Sequence, residues 1–175
     1  MLKHRSRGLT LLEALIAIVV ATILALVGIP AVRGMVTGNH LDAAALQTAA
    51  VLRYARAQAL GSGVPIGVCA ERIWPACAQA RAAANAASDA WVIFRDRDGD
   101  HAFGDVDEIL KVREWPALRL SIASSRSQPI YFDALGAAGS NTTLTICGEM
   151  DTQGRNVILA NSGRTRSVRN TCEVN

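Results

Sequence analysis

The sequence has few aromatic residues and few histidines: three Trp, two Tyr, three Phe and three His in 175 residues. His4, His40 and His101 are scattered and no Cys-x-x-Cys pair occurs, which argues against a zinc site. No nucleophile–base motif, phosphate-binding loop or dinucleotide fingerprint can be found. The chain therefore does not read as an enzyme, and neither cofactor nor metal is expected. The net charge of +3 is too small to argue for a nucleic-acid partner by itself. There is no internal repeat. No stretch has the composition of a disordered region, although "AQARAAANAAS" is rich in alanine.

Charge is nearly absent from one long stretch. Between Leu9 and Ile29 the one charged residue is Glu13. About 20 apolar residues span a bilayer core as a helix, and no second segment of this kind follows. Lys3, Arg5 and Arg7 stand in front. Positive flanks stay cytoplasmic, so the rest of the chain is expected across the membrane. The apolar part of a discarded secretory signal is usually only about 7–15 residues and ends at a small-x-small site. This run is longer and has no such ending, so a retained helix is expected. A carboxylate in hydrocarbon costs about 2.5–3.5 kcal/mol on insertion scales, so Glu13 marks a partner or a function.

An exported remainder puts Cys69, Cys77, Cys147 and Cys172 in an oxidising compartment, where disulfides persist. Four cysteines permit three pairings, and sequence does not choose among them. Spacing favours Cys69–Cys77, closing a short loop, and leaves Cys147–Cys172 to tie down the C-terminus.

Gly28 and Pro30 should bend the helix. Beyond them Leu41, Ala45, Thr48, Leu52, Ala55 and Ala59 recur at spacings of four and three, which is one helical face. "GSGVP" (61–65) ends it. Short strand-like stretches follow: "VPIGVCA", "AWVIFRD", "EILKVRE", "LRLSIAS", "PIYFD", "TLTICG", "NVILAN" and "RTRSVR". Turn signals such as "RDGD", "LGAAGSN" and "NSG" separate them. The expected fold class is α+β: a long N-terminal helix, transmembrane in its first half, packed against a C-terminal antiparallel β-sheet. Trp74, Trp91 and Trp115 should pack the core or cover the helix. The expected divisions are 1–8, a helix over 9–61 with its membrane half at 9–29, and a β-rich head over 62–175.

Charge is unevenly distributed in that head. Residues 96–108 hold six acids and one arginine. They do not fit a calcium-binding EF-hand, since counting from Asp96 puts His101 at position 6 and Asp107 at position 12. A solvated hairpin turn is expected instead, with an irregular cation site as the alternative. From Thr152 to Thr171 there are four arginines, Arg155, Arg164, Arg166 and Arg169, and no acid. On a strand, Arg164 and Arg166 would project from one face, next to a turn that Gly163 permits. Arg169 has the opposite parity. Arg155, read as lying in a turn, could reach the same rim. Such a patch suits sequence-independent, salt-sensitive contact with DNA phosphates. No aromatic residue accompanies it, so base stacking on single strands is not indicated.

"RGLTLLEALIAIVV" resembles the class III signal of type IV pilins and type II secretion pseudopilins. That resemblance implies cleavage between Gly8 and Leu9 by a prepilin peptidase and N-methylation of the new terminus. Leucine stands where the family usually has phenylalanine. Glu13 then becomes the fifth residue of the processed chain, the family's assembly glutamate, placed to pair with a neighbouring subunit's amino terminus. Pro30 matches the family's helix-bending proline. "LQTAAVLRYARAQALGSGVPIGVC", "WVIFRDRDGDHAFGDVDEIL" and "PIYFDALGAAG" resemble the FimT/GspH-type minor pilins. "NSGRTR" carries Gly163-Arg164-Thr165-Arg166, a GRxR motif associated in the FimT branch with DNA binding during natural transformation. The resemblance implies an inner-membrane, single-pass subunit with its N-terminus cytoplasmic and its head periplasmic, which enters a helical filament with other pilins. It implies a minor pilin that takes up duplex DNA. The alternatives are a GspH-like pseudopilin of type II secretion, or a structural subunit that primes the pilus tip without binding DNA.

Overall fold

The computed structural model describes residues 11–87, 89–115, 120–148 and 153–172, with the backbone alone for 27–37. The leader 1–8 and the expected cleavage point at Gly8 and Leu9 lie outside the described residues. Helix α1 runs Leu11–Ser62, with Glu13 in its first turn, where a carboxylate complements the helix dipole. The chain divides into two compact units, Met1–Gly38 and Asn39–Asn175.

In the first unit the described side chains are exposed all round: Leu11, Leu15, Ile18, Ile23, Leu24 and Leu26 are among them, and so is Glu13. Such a helix has no polar face and no core of its own. Among the described residues no helix is long and apolar enough to cross a membrane, and only 11–26 of the 9–29 run have described side chains.

In the second unit the rear of α1 has a face to bury. Leu41, Ala45, Thr48, Leu52, Ala55 and Ala59 are all buried, as their spacing predicts. Gly63 N donates to Ala59 O, and Pro65 follows, so the helix stops there. Eight strands come next: β1 (Ile66–Cys69), β2 (Ala90–Arg95), β3 (Glu108–Glu114), β4 (Leu120–Ser124), β5 (Ile130–Phe132), β6 (Thr142–Gly148), β7 (Gln153–Leu159) and β8 (Thr165–Thr171). Each overlaps one of the stretches picked out by alternation and turn residues, though β7 starts three residues ahead of "NVILAN".

The strands form two antiparallel sheets, ordered β3-β2-β1-β5 and β4-β6-β7-β8, where sequence suggested one. Both contribute to a single core with α1: Ile66, Val68, Ile93 and Phe132 from the first sheet, Leu144, Ile146, Val157 and Leu159 from the second. Burying a large aliphatic or aromatic side chain of this kind stabilises by about 1.5–3 kcal/mol. Strands β6 and β7 alternate buried and half-buried residues, the pattern of a sheet with one face inward. Strand β2 is buried along nearly its whole length, because it is interior to its sheet and a short helix packs against it. That helix, α2 (Ala78–Ala83), follows a 3₁₀ turn at Pro75–Cys77 and was not foreseen from sequence. Trp74 and Trp91 are buried in contact, Trp115 packs on Trp91 at a tilt, and the Trp74 indole donates to Arg126 O.

Cys69 joins Cys77 and Cys147 joins Cys172. The first bridge spans from β1 to the 3₁₀ turn. The second crosses over β7 to hold the end of β8 against β6. Gly154 lies beneath it, and a Cβ there would collide with Cys172 Sγ.

Candidate nucleic-acid interface

The hairpin joining β7 to β8 carries the GRxR sequence. Gly163 N donates to Ala160 O and Ala160 N to Arg164 O, which closes the turn. Gly163 has φ +74°, a conformation L side chains avoid. It is also buried: a Cβ would strike Gly136 O and lie 2.8 Å from Arg56 Nε. Gly163 is therefore a packing position, which has no room for a side chain and lies buried at the base of the hairpin. Its missing side chain lets α1, the 133–138 loop and the hairpin meet.

Arg164 and Arg166 are exposed. Arg166 sits opposite Ile158 in register, on the sheet face that alternates with buried Val157 and Leu159. Arg164 lines a groove of about 380 Å³ with Arg53, Arg56, Ala57, Leu60, Gly163 and Thr165. Arg53 donates from Nε to the Thr165 hydroxyl at 3.3 Å. Three arginines thus line one groove without a carboxylate among its walls.

Two other sequence candidates fall elsewhere. Arg155 lies within β7, not in a turn, and is 7% exposed. Its Nε donates to Asp42 on α1 at 2.5 Å and a terminal nitrogen to Gly154 O. It faces inward because residues 155, 157 and 159 share a parity, and Val157 and Leu159 are core. Arg169 is its register partner on β8. The Arg155 hydrogen bond, reinforced by the charges of Arg155 and Arg169, holds the Asp42 carboxyl below its ordinary value. Arg155 is thus buried away from the hairpin groove, and Arg169 lies beside it rather than in the groove.

Arg53 and Arg56 were missed as site residues. Their signal was the i, i+3 spacing in "RYAR", which puts two side chains on one helical face.

The acidic stretch is occupied with its own folding. Asp96 is fully buried and accepts from Gly99 and His101 N, while Asp107 accepts from Arg97 and Gly104 N. Burial pushes the Asp96 carboxyl up, against the pull of its two backbone donors. Glu108 takes Arg95 and Arg97, which hold its carboxyl down. Carboxylate oxygens of Asp96, Asp98 and Asp107 come within 4.8 Å of one another, yet those of Asp96 and Asp107 already bind backbone donors. A larger cavity, about 640 Å³, is lined by charges of both signs, with Arg126, Asp100 and Asp133 in its walls. Tyr131, also in its walls, has its phenol pushed up to about 12 by burial and then by Asp96, Asp100 and Asp107. That cavity does not suit a polyanion.

A long helix whose rear backs two antiparallel sheets, and whose front is apolar with an acid in its first turn, defines a type IV pilin-like subunit. Residues 44–163, more than half of the chain, match the family described as type II transport protein GspH, and the chain belongs to it. Residues 3–29 match the prokaryotic N-terminal methylation motif. Crystal structures of the type IV minor pilin FimU of Pseudomonas aeruginosa (strain PAO1) share the fold. One, in space group P21, is 22% identical with a TM-score of 0.56, over 75% of this chain and 90% of that one. Another, in P65, is 22% identical with a TM-score of 0.54, over 73% and 92%. No curated protein matches the chain. The protein is thus a minor pilin or GspH-like pseudopilin, a structural subunit by family.

Proposed function

We propose that this protein is a minor pilin of a type IV pilus that binds extracellular duplex DNA through Arg164 and Arg166 and supports DNA uptake. The observation that carries this reading is the contrast among arginines. Arg72, Arg81, Arg95, Arg97 and Arg155 each have an acid partner. Arg164 and Arg166, exposed at one hairpin, have none among the described residues; the same holds for exposed Arg113 and Arg126, but Arg164 of the hairpin pair shares a groove with two more arginines, Arg53 and Arg56. Guanidiniums left in this way suit phosphate oxygens. Backbone contact alone predicts no sequence preference and a steep dependence on salt.

The anchoring half of the reading rests on the front of the chain. Cleavage between Gly8 and Leu9 would leave Glu13 near a new amino terminus. The exposed apolar helix would lie in the inner membrane, N-terminus cytoplasmic, until drawn into a filament with other pilins. Glu13 would then pair with a neighbour's terminus, a charge pairing that hydrocarbon makes strong. The second reading, a pseudopilin of type II secretion, is favoured by the family description over residues 44–163.

Duplex DNA titrated at several salt concentrations separates the two. Arg164→Gln/Arg166→Gln is expected to weaken binding about tenfold or more at fixed salt. The salt slope should fall by about one to two, since each neutralised phosphate accounts for roughly 0.9 of it. An unaltered affinity in this variant would reject the assigned residues. Absence of binding in the parent would favour secretion.

A further inference from the structure

We infer that the groove between α1 and the β7–β8 turn is a seat for one backbone phosphate of the bound DNA, with Arg53 and Arg56 contacting it beside Arg164. This rests on the DNA-binding reading above and adds two residues that neither the GRxR sequence nor the family match singles out. Three observations converge. The groove walls hold three arginines and no carboxylate. Arg56 lines the groove as well, and its Nε has no acceptor among the described residues. Arg53 is held by its Nε bond to Thr165 Oγ1, and none of the described residues accepts from its two terminal amino groups. A guanidinium presents five donors in a fixed fork, which suits a phosphate.

The arrangement also explains the glycine of the GRxR sequence. Any side chain at 163 would press on Arg56 Nε and on Gly136 O. Gly163 therefore keeps the α1 arginines close to Arg164. Arg166, on β8 just beyond the turn, is left to take a neighbouring phosphate. The groove has no aromatic residue in its walls, so it reads charge and not base.

The experiment is a salt-dependent titration of labelled duplex DNA with the full chain in non-ionic detergent. Arg53→Gln/Arg56→Gln is expected to bind about tenfold more weakly at fixed salt, with the salt slope lowered by about one. Both arginines touch the hairpin, so Arg53→Lys/Arg56→Lys is the companion variant. It keeps the charge and is expected to retain most of the slope, with an unfolding midpoint equal to that of the glutamine variant. Parental affinity and slope in the glutamine variant, with Arg164→Gln still impaired, would overturn the seat and leave the DNA reading standing. An equal loss in the lysine and glutamine variants would assign the pair a packing role and overturn it also. A parent that binds no duplex would overturn both readings together.

Discussion

Gly154 is a residue whose reason lies on the two strands beside it. The Cys147–Cys172 bridge passes over it, and an added Cβ would meet Cys172 Sγ and stand 3.0 Å from Ile146 O. Overpacking of this kind costs about 1–3 kcal/mol. Gly154→Ala is expected to lower the thermal midpoint of the oxidised protein, and to do so less in a Cys147→Ser/Cys172→Ser background, where the sulfurs are gone. An equal penalty in both backgrounds would trace the effect to Ile146 O instead. Asp42 and Arg155 form the other decisive pair. Arg155 is buried, while its partner's side chain is 55% exposed. Removing the carboxylate leaves a buried cation with Gly154 O as its acceptor among the described residues, at a cost of about 1–3 kcal/mol. Because the Asp42 carboxyl is held below its ordinary 3.8, its stabilisation is fully present above that pH and is lost as pH falls through the lowered value. Asp96 runs the other way: a raised carboxyl loses relative stability as pH rises through the interval above 3.8. Urea unfolding from pH 2 to 6 is therefore expected to show a shallower acid loss in Asp42→Asn than in the parent. A parallel curve in the variant would exclude Asp42 as a source of acid sensitivity.

At the level of elements, the helix and the strands were legible, and their partners were not. The α1 face from Leu41 to Ala59 could be read because it repeats over several turns, and every member is buried. The strands could be read because β6 and β7 alternate and turn residues bracket them. Pairing is different: β1 joins β5 and β4 joins β6, across long intervening segments, and no local signal records that. Two sheets therefore replaced the one expected. Helix α2 escaped because six residues complete too few turns to show a period, though its alanines favour helix and the Cys69–Cys77 bridge brackets the turn leading into it. Arg155 shows a site misread for want of an element boundary. Once β7 begins at Gln153, strand parity sends Arg155 inward with Val157. The groove arginines show the converse, since Arg53 and Arg56 lie in a different element from Arg164 and only the fold brings them to it.

Across the whole molecule, a net charge of +3 conceals two unlike regions. Of the acids in residues 96–108, Asp96 is buried on backbone donors, Asp107 is half-buried on two more and Glu108 is held by Arg95 and Arg97, while Asp98, Asp100 and Asp105 are exposed. Arg164 and Arg166 of the β7–β8 hairpin have no acid partner among the described residues, and Arg164 stands beside Arg53 and Arg56, so together they form a local positive patch for a polyanion. A third source of positive charge must be separated from this one. Lys3, Arg5 and Arg7 precede Gly8, and in unprocessed protein they too would attract DNA. The fragment 39–175 removes them. It retains the hydrophobic core, whose described members all lie between Leu41 and Leu159, and both disulfides. It is therefore expected to unfold in one cooperative step, as single domains of this size do, and to bind duplex DNA with the salt slope of the full chain. A fragment that folds with that cooperativity yet has a slope smaller by about three would move the binding to the leader lysine and arginines. It would leave the hairpin as a pilin surface without a role in DNA capture.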